Sequence, residues 1–226
     1  MRSYLVLLAA AAFAQTSEVQ ISPSTFKGEP ASGATQPNSF TARGYTLQQM
    51  IARLNKVTPS RVVMPVVIPV VLDTKQRYDF ALVTPGPEDD AAIDHRIEQA
   101  IRARFHIAIA REKRTVEVYV MTAPHGPSPA MKVRPAPASG SISSGVTITA
   151  DSISATNAAM EDISRMLEQH LQRTLLDETG LTGRYDFEIK GIARGDDAFR
   201  SALRDRLGLD LTPARREIEM IIVTSN

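Results

Sequence analysis

A tetrapeptide that occurs twice constrains the fold of this chain more than any other feature of its sequence. Arg77-Tyr78-Asp79-Phe80 recurs as Arg184-Tyr185-Asp186-Phe187. Shorter matches keep the same order along the chain: Thr41-Ala42 with Thr149-Ala150, Leu72-Asp73 with Leu176-Asp177, and Val116-Glu117 with Ile218-Glu219. Because these matches are collinear, we interpret the chain as an internal duplication of one supersecondary unit.

Each copy has the same predicted order of strands and helices. In the first copy a strand precedes the capping box Thr46-x-x-Gln49, which begins an amphipathic helix. In the second copy Asn157 is the predicted N-cap of the corresponding helix. The order is β-α-β-β-α-β-β, with the closing hairpin of the first copy around residues 112–114. We therefore predict an α+β fold of two tandem halves, with small mixed or antiparallel sheets each packed by two helices.

Two stretches of biased composition separate these halves from each other and from the N-terminus. Residues 15–38 are rich in Ser, Pro, Gly and Thr, and residues 123–145 contain five prolines followed by a Gly/Ser run. Dense prolines remove backbone donors from helices and sheets, so the second stretch is predicted to be a linker. The predicted organisation is a signal peptide at 1–14, an irregular leader at 15–38, a first half at 39–122, the linker at 123–145 and a second half at 146–226.

The N-terminus has the three parts of a secretory signal. Arg2 precedes an apolar run over residues 4–12, and Ala12-Phe13-Ala14 forms a small-x-small cleavage site. The run is shorter than the roughly 20 residues that span a bilayer. We expect a mature protein that begins at Gln15, lies in the periplasm or outside the cell, and has no membrane span after signal cleavage.

The repeated tetrapeptides read as structural motifs. Alternation in a strand directs Tyr78 and Phe80 to one face, and Tyr185 and Phe187 likewise. The aspartates, Asp79 and Asp186, would then share a face with the arginines two residues earlier, Arg77 and Arg184, so we predict Arg–Asp contacts and no catalytic role. Gly180 and Gly183 are predicted to form the turn before the second motif.

Composition excludes several kinds of chemistry. The chain has no Cys, which removes disulfides and thiolate ligands, and 26 Lys+Arg balance 25 Asp+Glu, so nucleic acid is not an expected partner. Its four His residues are spaced without a metal-binding pattern, and no G-x-S-x-G elbow occurs. We therefore predict no catalytic residues, no cofactor and no metal.

One apolar segment is a candidate docking edge. Residues 62–72 are rich in β-branched side chains, but Pro65 and Pro69 restrict the segment to the margin of a sheet. The candidate partner edge consists of Val62, Val63, Val66, Val67 and Val70. The expected partner is another envelope protein or a peptide that adds a strand there, and the alternative is that the leader or the linker covers the edge.

The second motif and its flanks also resemble a known family. Residues 176–187 (LDETGLTGRYDF), Leu207-Gly208-Leu209 and residues 69–80 (PVVLDTKQRYDF) are similar to the soil-associated, Solibacter-type family of uncharacterised exported bacterial proteins. Val71 stands where that family usually has tryptophan. The resemblance implies export and a domain of unknown function.

Two functional hypotheses follow. The first is an exported, non-catalytic envelope protein that binds a protein or a peptide, because the chain has edge-bearing α+β units and no catalytic motif. The alternative is a hydrolase whose site lies in the groove between the two halves.

Overall fold

The computed structural model describes residues 18–28, 30–33, 38–65, 75–134 and 145–225. These residues form an α+β fold, which confirms the predicted class. The helices are α1 (Leu47–Leu54), α2 (Asp90–Phe105), α3 (Met160–Leu171) and α4 (Asp196–Ala202), with a 3₁₀ turn at Pro59–Arg61 and a π-helical turn at Leu203–Leu207. The strands are β1 (Gln20–Pro23), β2 (Ala31–Gly33), β3 (Ser39–Thr46), β4 (Val62–Val63), β5 (Arg77–Val83), β6 (Ile107–Thr122), β7 (Lys132–Arg134), β8 (Gly145–Ile148), β9 (Ser152–Ala159), β10 (Leu175–Asp177), β11 (Arg184–Lys190) and β12 (Asp210–Ser225).

The described strands form three four-stranded sheets. Sheet A has the order β1-β5-β3-β2, sheet B the order β10-β6-β12-β4, and sheet C the order β7-β11-β9-β8. Neighbouring strands are antiparallel in sheets A and C. In sheet B the outer strands β10 and β4 run parallel to β6 and β12, so this sheet contains parallel pairs.

The chain divides into two compact units that differ from the predicted sequence halves. Unit 1 comprises Met1–Met50 and Ile68–Ile107, and it contains sheet A and α2. Unit 2 comprises Ile51–Val67 and Ala108–Asn226, and it contains α3, α4, sheet C and nearly all of sheet B. The boundaries differ because β4 and most of β6, which lie in the first half of the sequence, are strands of sheet B.

The apolar periodicities of unit 1 match its buried positions. Tyr78, Phe80 and Leu82 alternate along β5 and are buried, and the rings of Tyr78 and Phe105 meet edge to face with centroids 5.2 Å apart. Helix α2 begins where the Asp89 carboxylate accepts a hydrogen bond from the backbone N–H of Ala92. Both helix and strand thus bury one face.

The capping box predicted for α1 is confirmed. The backbone N–H of Thr46 donates to Gln49 Oε1 at 2.9 Å, and the N–H of Gln49 donates to Thr46 Oγ1 at 3.2 Å. This reciprocal pair satisfies two N–H groups that a helix start otherwise leaves unpaired.

The core of unit 2 is formed by side chains of sheets B and C together with α3, α4 and the π-helical turn. Its centre consists of fully buried side chains from β9, α3 and the π-helical turn. Members of this cluster include Ile153, Ile163, Leu167, Leu203 and Leu207.

The predicted closing hairpins are wrong. Residues 107–122 form the single 16-residue strand β6, and residues 210–225 form the 16-residue strand β12. The segment 112–114 is Glu-Lys-Arg and lacks the Gly or Asn that a tight turn favours. Strand β12 instead pairs with β6, with ion pairs Arg111–Glu219 at 2.5 Å and Lys113–Glu217 at 3.8 Å between them. Each half therefore ends in one long strand.

The predicted linker is also partly wrong. Residues 132–134 form β7, which pairs with β11, and Met131 is buried. Ser128 Oγ, in the turns before β7, donates to the carbonyl oxygen of Arg206 at 2.6 Å. The prolines before Met131 fall in these turns and leave residues 132–134 free to join sheet C, while residues 135–144 lie outside the described residues.

The predicted N-cap at Asn157 is wrong as well. Asn157 lies in β9 with φ of 46°, and α3 begins at Met160 with Ala159 as its N-cap. Asn157 has a different role, in a bulge of the sheet.

Sheets A and C share their strand order and their pairing. Each has a bulge in the strand that precedes a helix, between Ala42 and Tyr45 in β3 and opposite residues 185–187 in β9. The corresponding cross-strand pairs are Phe80–Ala42 with Phe187–Ala155, and Tyr78–Tyr45 with Tyr185–Ala158. Residues of β3 and β9 thus correspond at a constant spacing of 113, which also relates the first residues of α1 and α3. The duplication itself stays a prediction.

Candidate functional site

The aspartate of each repeated motif accepts a hydrogen bond from the backbone at the bulge of its sheet, in sheet A and in sheet C. Asp79 Oδ1 accepts a hydrogen bond from the N–H of Gly44 at 2.9 Å, and Asp186 Oδ1 accepts one from the N–H of Asn157 at 2.6 Å. Gly44 and Asn157 have φ of 73° and 46°, a conformation that glycine and asparagine tolerate best. The aspartates therefore secure a strained backbone position and have a structural role.

The predicted contacts between Arg77 and Asp79 and between Arg184 and Asp186 are wrong. Arg184 Nη1 donates to the carbonyl oxygen of Asn157 at 2.7 Å, and Arg77 Nη1 donates to that of Gly28 at 2.6 Å. Both aspartates accept backbone N–H groups at the bulge, which the side-chain alternation alone does not indicate.

Asp186 has a second partner from the predicted linker. Arg134 of β7 forms an ion pair and a hydrogen bond with its carboxylate. The hydrogen bond from the Asn157 N–H, together with Arg134, lowers the pKa of Asp186 below the ordinary value of 3.8. The carboxylate is therefore charged at neutral pH and ties β7 to β11.

The glycines before the second motif lie in the loop between β10 and β11. Gly180 has φ of 67°, and a Cβ at Gly183 would lie 2.9 Å from the Tyr185 hydroxyl. The first position requires backbone freedom, and a side chain at the second would displace the ring of the buried Tyr185.

The candidate partner edge is only partly described. Val62 and Val63 form β4, which occupies one end of sheet B and pairs in parallel with Ile221 and Ile222 of β12. Val62 is buried. Val66, Val67 and Val70 lie outside the described residues.

A groove of about 740 Å³ lies in unit 2. We call it the Glu168 groove. Its lining comes from the segment that precedes β4, from α3 and from β10: Lys56, Val57, Thr58, Arg61, Glu161, Ser164, Arg165, Glu168, Leu175, Leu176, Asp177 and Glu178. This lining mixes apolar side chains with charged side chains of both signs, and it includes no aromatic side chain.

Glu168 is a carboxylate held almost out of solvent. Its residue is 3% exposed, and Oε1 accepts hydrogen bonds from the hydroxyls of Thr58 and Ser60. Thr174 Oγ1 donates in turn to Ser60 Oγ at 3.4 Å, and Arg61 Nε lies 3.9 Å from Oε1. The charge of Glu168 is thus balanced by one guanidinium and two hydroxyls.

Two residues that line this groove each have a buried polar atom without a hydrogen-bond partner in the described part of the chain. The atoms are Ser164 Oγ and Arg61 Nε. Ser164 lies one helical turn before Glu168 in α3 and is 9% exposed. A buried polar group without a hydrogen bond costs about 1–3 kcal/mol, and such groups are rare in folded proteins. Their presence together at a groove indicates a site for a hydrogen-bonding ligand.

Strand β10 presents an open edge at the same groove. Thr174 O accepts from Tyr119 N at 2.8 Å and Glu178 N donates to Met121 O at 2.9 Å, so these residues direct their backbone groups toward β6. In a parallel pair the direction alternates along the strand, so Leu175 and Asp177 direct their backbone groups away from β6. The Leu175 carbonyl accepts from Arg61 Nη2 at 3.5 Å. The backbone groups of Asp177 are therefore placed for a further strand.

The sequence analysis missed Ser164 and Glu168. It treated α3 as an amphipathic helix with an apolar stripe and did not consider the polar residues beside that stripe. The strand registers of sheets A and C, with their spacing of 113, place Ser164 at the position of Ile51, which is fully buried. The sequence matches did not give this correspondence, because Thr41-Ala42 and Thr149-Ala150 are 108 residues apart and pair Ile51 with Ala159.

Other described features carry no chemistry of this kind. In the described ranges, no group of three His, Cys, Asp or Glu side chains is placed to hold a metal ion. A second groove, of about 820 Å³, lies in unit 1 between β1 and α2. No helix among the described residues is long and apolar enough to cross a bilayer.

The fold and this groove define an α+β protein with a candidate binding site and no recognised catalytic motif. A family model described as a protein of unknown function, DUF3738, matches residues 69–225. The chain belongs to this family. No curated protein and no solved structure matches the chain. The predicted membership of a family of unknown function is thus confirmed, while the soil origin and export stay predictions.

Proposed function

We propose that this protein is an exported, non-catalytic module that binds a peptide segment of another envelope protein by strand addition at β10. The observation that carries the proposal is the open edge of β10 along the Glu168 groove. Backbone hydrogen bonds to a sheet edge supply affinity, and neighbouring side chains supply specificity. The Asp177 N–H and C=O are the pairing groups.

The chemistry of the groove favours a peptide over a carbohydrate. An extended peptide offers alternating donors and acceptors, which suits both the backbone groups of β10 and the unpaired Ser164 hydroxyl. Sugar sites commonly include an aromatic side chain for stacking, and the lining of this groove has none. Charges of both signs at its rim, such as Lys56 and Glu161, would set the register of a bound segment.

The proposal is tested by selecting random linear peptides on the purified chain and measuring the affinity of those selected for two variants at one position. Asp177→Pro removes the outward N–H, and proline is tolerated at a sheet edge. Asp177→Ala is the matched control, since it keeps the N–H but, like Asp177→Pro, loses the hydrogen bonds that Asp177 Oδ1 accepts from the N–H and Oγ1 of Thr179. We expect Asp177→Pro to abolish binding and Asp177→Ala to retain it.

Equal binding by both variants would overturn strand addition at β10. The candidate edge at Val62 and Val63 would then be the next docking site to test, by protection of its backbone amides from hydrogen exchange. The alternative function, a hydrolase, predicts cleavage of the selected peptides, and mass spectrometry of peptides recovered after incubation detects it. Intact recovered peptides are the expected result.

Export has its own test. Expression in a Gram-negative host followed by intact-mass analysis of the periplasmic fraction should give a chain that begins at Gln15. A product that keeps Arg2 would contradict export by the predicted signal.

A further inference from the structure

We propose that the Glu168 groove binds a carboxamide side chain, that of Asn or Gln, with Arg61 Nε–H donating to its carbonyl oxygen and Ser164 Oγ accepting from its NH2 group. This inference rests on the proposed function, because the carboxamide belongs to the bound peptide. It names which residue of the peptide the groove selects.

The first argument is the unused hydrogen-bonding capacity of the groove. Arg61 Nε–H can only donate, and the Ser164 hydroxyl can donate or accept. Both atoms are buried and lack a hydrogen-bond partner among the described residues, and the only partner of Arg61 Nε there is the ion pair with Glu168. A ligand that satisfies both must therefore offer an acceptor to the guanidinium and a polar hydrogen or an acceptor to the serine.

The second argument is charge. Glu168 and Arg61 already balance each other, with Nε 3.9 Å from Oε1. A carboxylate bound at Arg61 would bring a second negative charge close to the buried Glu168, and an ammonium would be placed beside the guanidinium. Either arrangement would place like charges close together beside the buried Glu168–Arg61 pair, which is unfavourable. A neutral group is therefore favoured.

The third argument is the number of partners. The two atoms without a hydrogen bond belong to different elements, the 3₁₀ turn and α3. A carboxamide carries its acceptor and its donor on two separate atoms, so each atom can serve one partner. A ligand hydroxyl has to use a single oxygen for both partners.

The expected selectivity follows from the cost of an unpaired buried group. A site built to hydrogen-bond its ligand rejects an analogue that leaves its polar groups unpaired. An apolar side chain of similar size, such as Met, would leave Arg61 Nε and Ser164 Oγ without a hydrogen bond. We expect at least about a tenfold preference for Gln over Met.

The test uses blocked amino acids, so it does not depend on finding a natural partner. N-acetyl N-methylamides of Gln, Met, Ser and Glu are titrated into the isotopically labelled chain, with the Arg61 Nε–H resonance as the direct readout. The Gln probe should shift this resonance and bind most tightly. Ser164→Ala should remove most of the preference for Gln over Met, and Ser201→Ala, a control in α4, should leave it unchanged.

The outcomes separate this inference from the proposed function. Equal binding of the Gln and Met probes, or tightest binding of the Glu or Ser probe, overturns the carboxamide site. Selected peptides that need the Asp177 N–H but tolerate replacement of every Asn and Gln would also overturn it, with strand addition intact. A Gln probe that binds while no peptide is selected would overturn the proposed function.

Discussion

Helices α1 and α3 follow equivalent bulged strands in sheets A and C, yet they place different groups at corresponding positions. The fully buried Ile51 of α1 corresponds to Ser164 of α3, and Asn55, just after α1, corresponds to Glu168. A helix after such a bulged strand therefore forms without a serine or a carboxylate at these positions. Local departures from a pattern that satisfies packing are expected at functional sites.

The bulges of sheets A and C, in contrast to α1 and α3, have the same aspartate–backbone contact at corresponding positions. Asp79 and Asp186 accept hydrogen bonds from the backbone N–H of corresponding residues, and both are the third residue of the same tetrapeptide. The shared motif therefore accounts for structure, while the difference between α1 and α3 accounts for the candidate site.

The largest expected effect tests the equivalence of the two motifs. Phe80 and Phe187 are buried in β5 and β11. Replacing either by Ala should lower the free energy of unfolding by about 3–5 kcal/mol, because a large apolar side chain is lost and a cavity is left. Urea denaturation measures both, with Val133→Ala as the exposed control. A cost below about 1 kcal/mol at one site alone would break the equivalence of the two sheets.

The next effect concerns Glu168 and its counterpart. Glu168→Ala leaves the hydroxyls of Thr58 and Ser60 without their acceptor and Arg61 without its ion pair. We expect a loss of about 2 kcal/mol in unfolding free energy, less than for a fully buried pair because the Arg61 side chain is 29% exposed. Asn55→Ala is the matched control and should cost less than about 1 kcal/mol. Equal costs would contradict the distinction between α1 and α3.

A smaller effect is expected in the pH dependence of the free energy of unfolding, through Asp186 of sheet C. The pKa of Asp186 is lowered in the folded protein, so the unfolded chain binds the proton more tightly. The stabilisation is therefore present at neutral pH and is lost as the pH falls below 3.8 toward the lower folded pKa. Asp186→Asn should be less stable than the parent at neutral pH, and the difference should shrink at acid pH. Unfolding curves on both sides of pH 3.8 measure this, and a constant difference would contradict the role of the charged carboxylate.

Much of this fold was predictable because its signals are local. The reciprocal contacts of Thr46 and Gln49, and the burial of alternate residues in β5 and β11, depend on neighbours a few residues apart. Sheet B was not predictable in this way. Strands β4 and β10 each pair with a strand of the other sequence half, and periodicity does not specify a partner.

The candidate site also could not be predicted from local patterns, because its residues come from distant parts of the sequence. Thr58 and Ser60 reach Glu168 across more than a hundred residues of sequence, so spacing could not bring them together. The repeated tetrapeptides did not single out Ser164 either, because the spacing of 113 that relates it to Ile51 comes from the strand registers of sheets A and C.

The central claim is that Ser164 is retained for binding and at the expense of stability. Ser164→Ala removes a buried hydroxyl that lacks a hydrogen-bond partner in the described part of the chain. Denaturation of this variant tests the claim most directly, with Ser201→Ala correcting for the better helix propensity of alanine. The account predicts a gain of about 1 kcal/mol in unfolding free energy beyond that of Ser201→Ala, together with weaker binding of selected peptides. A loss of stability with unchanged peptide binding would contradict it.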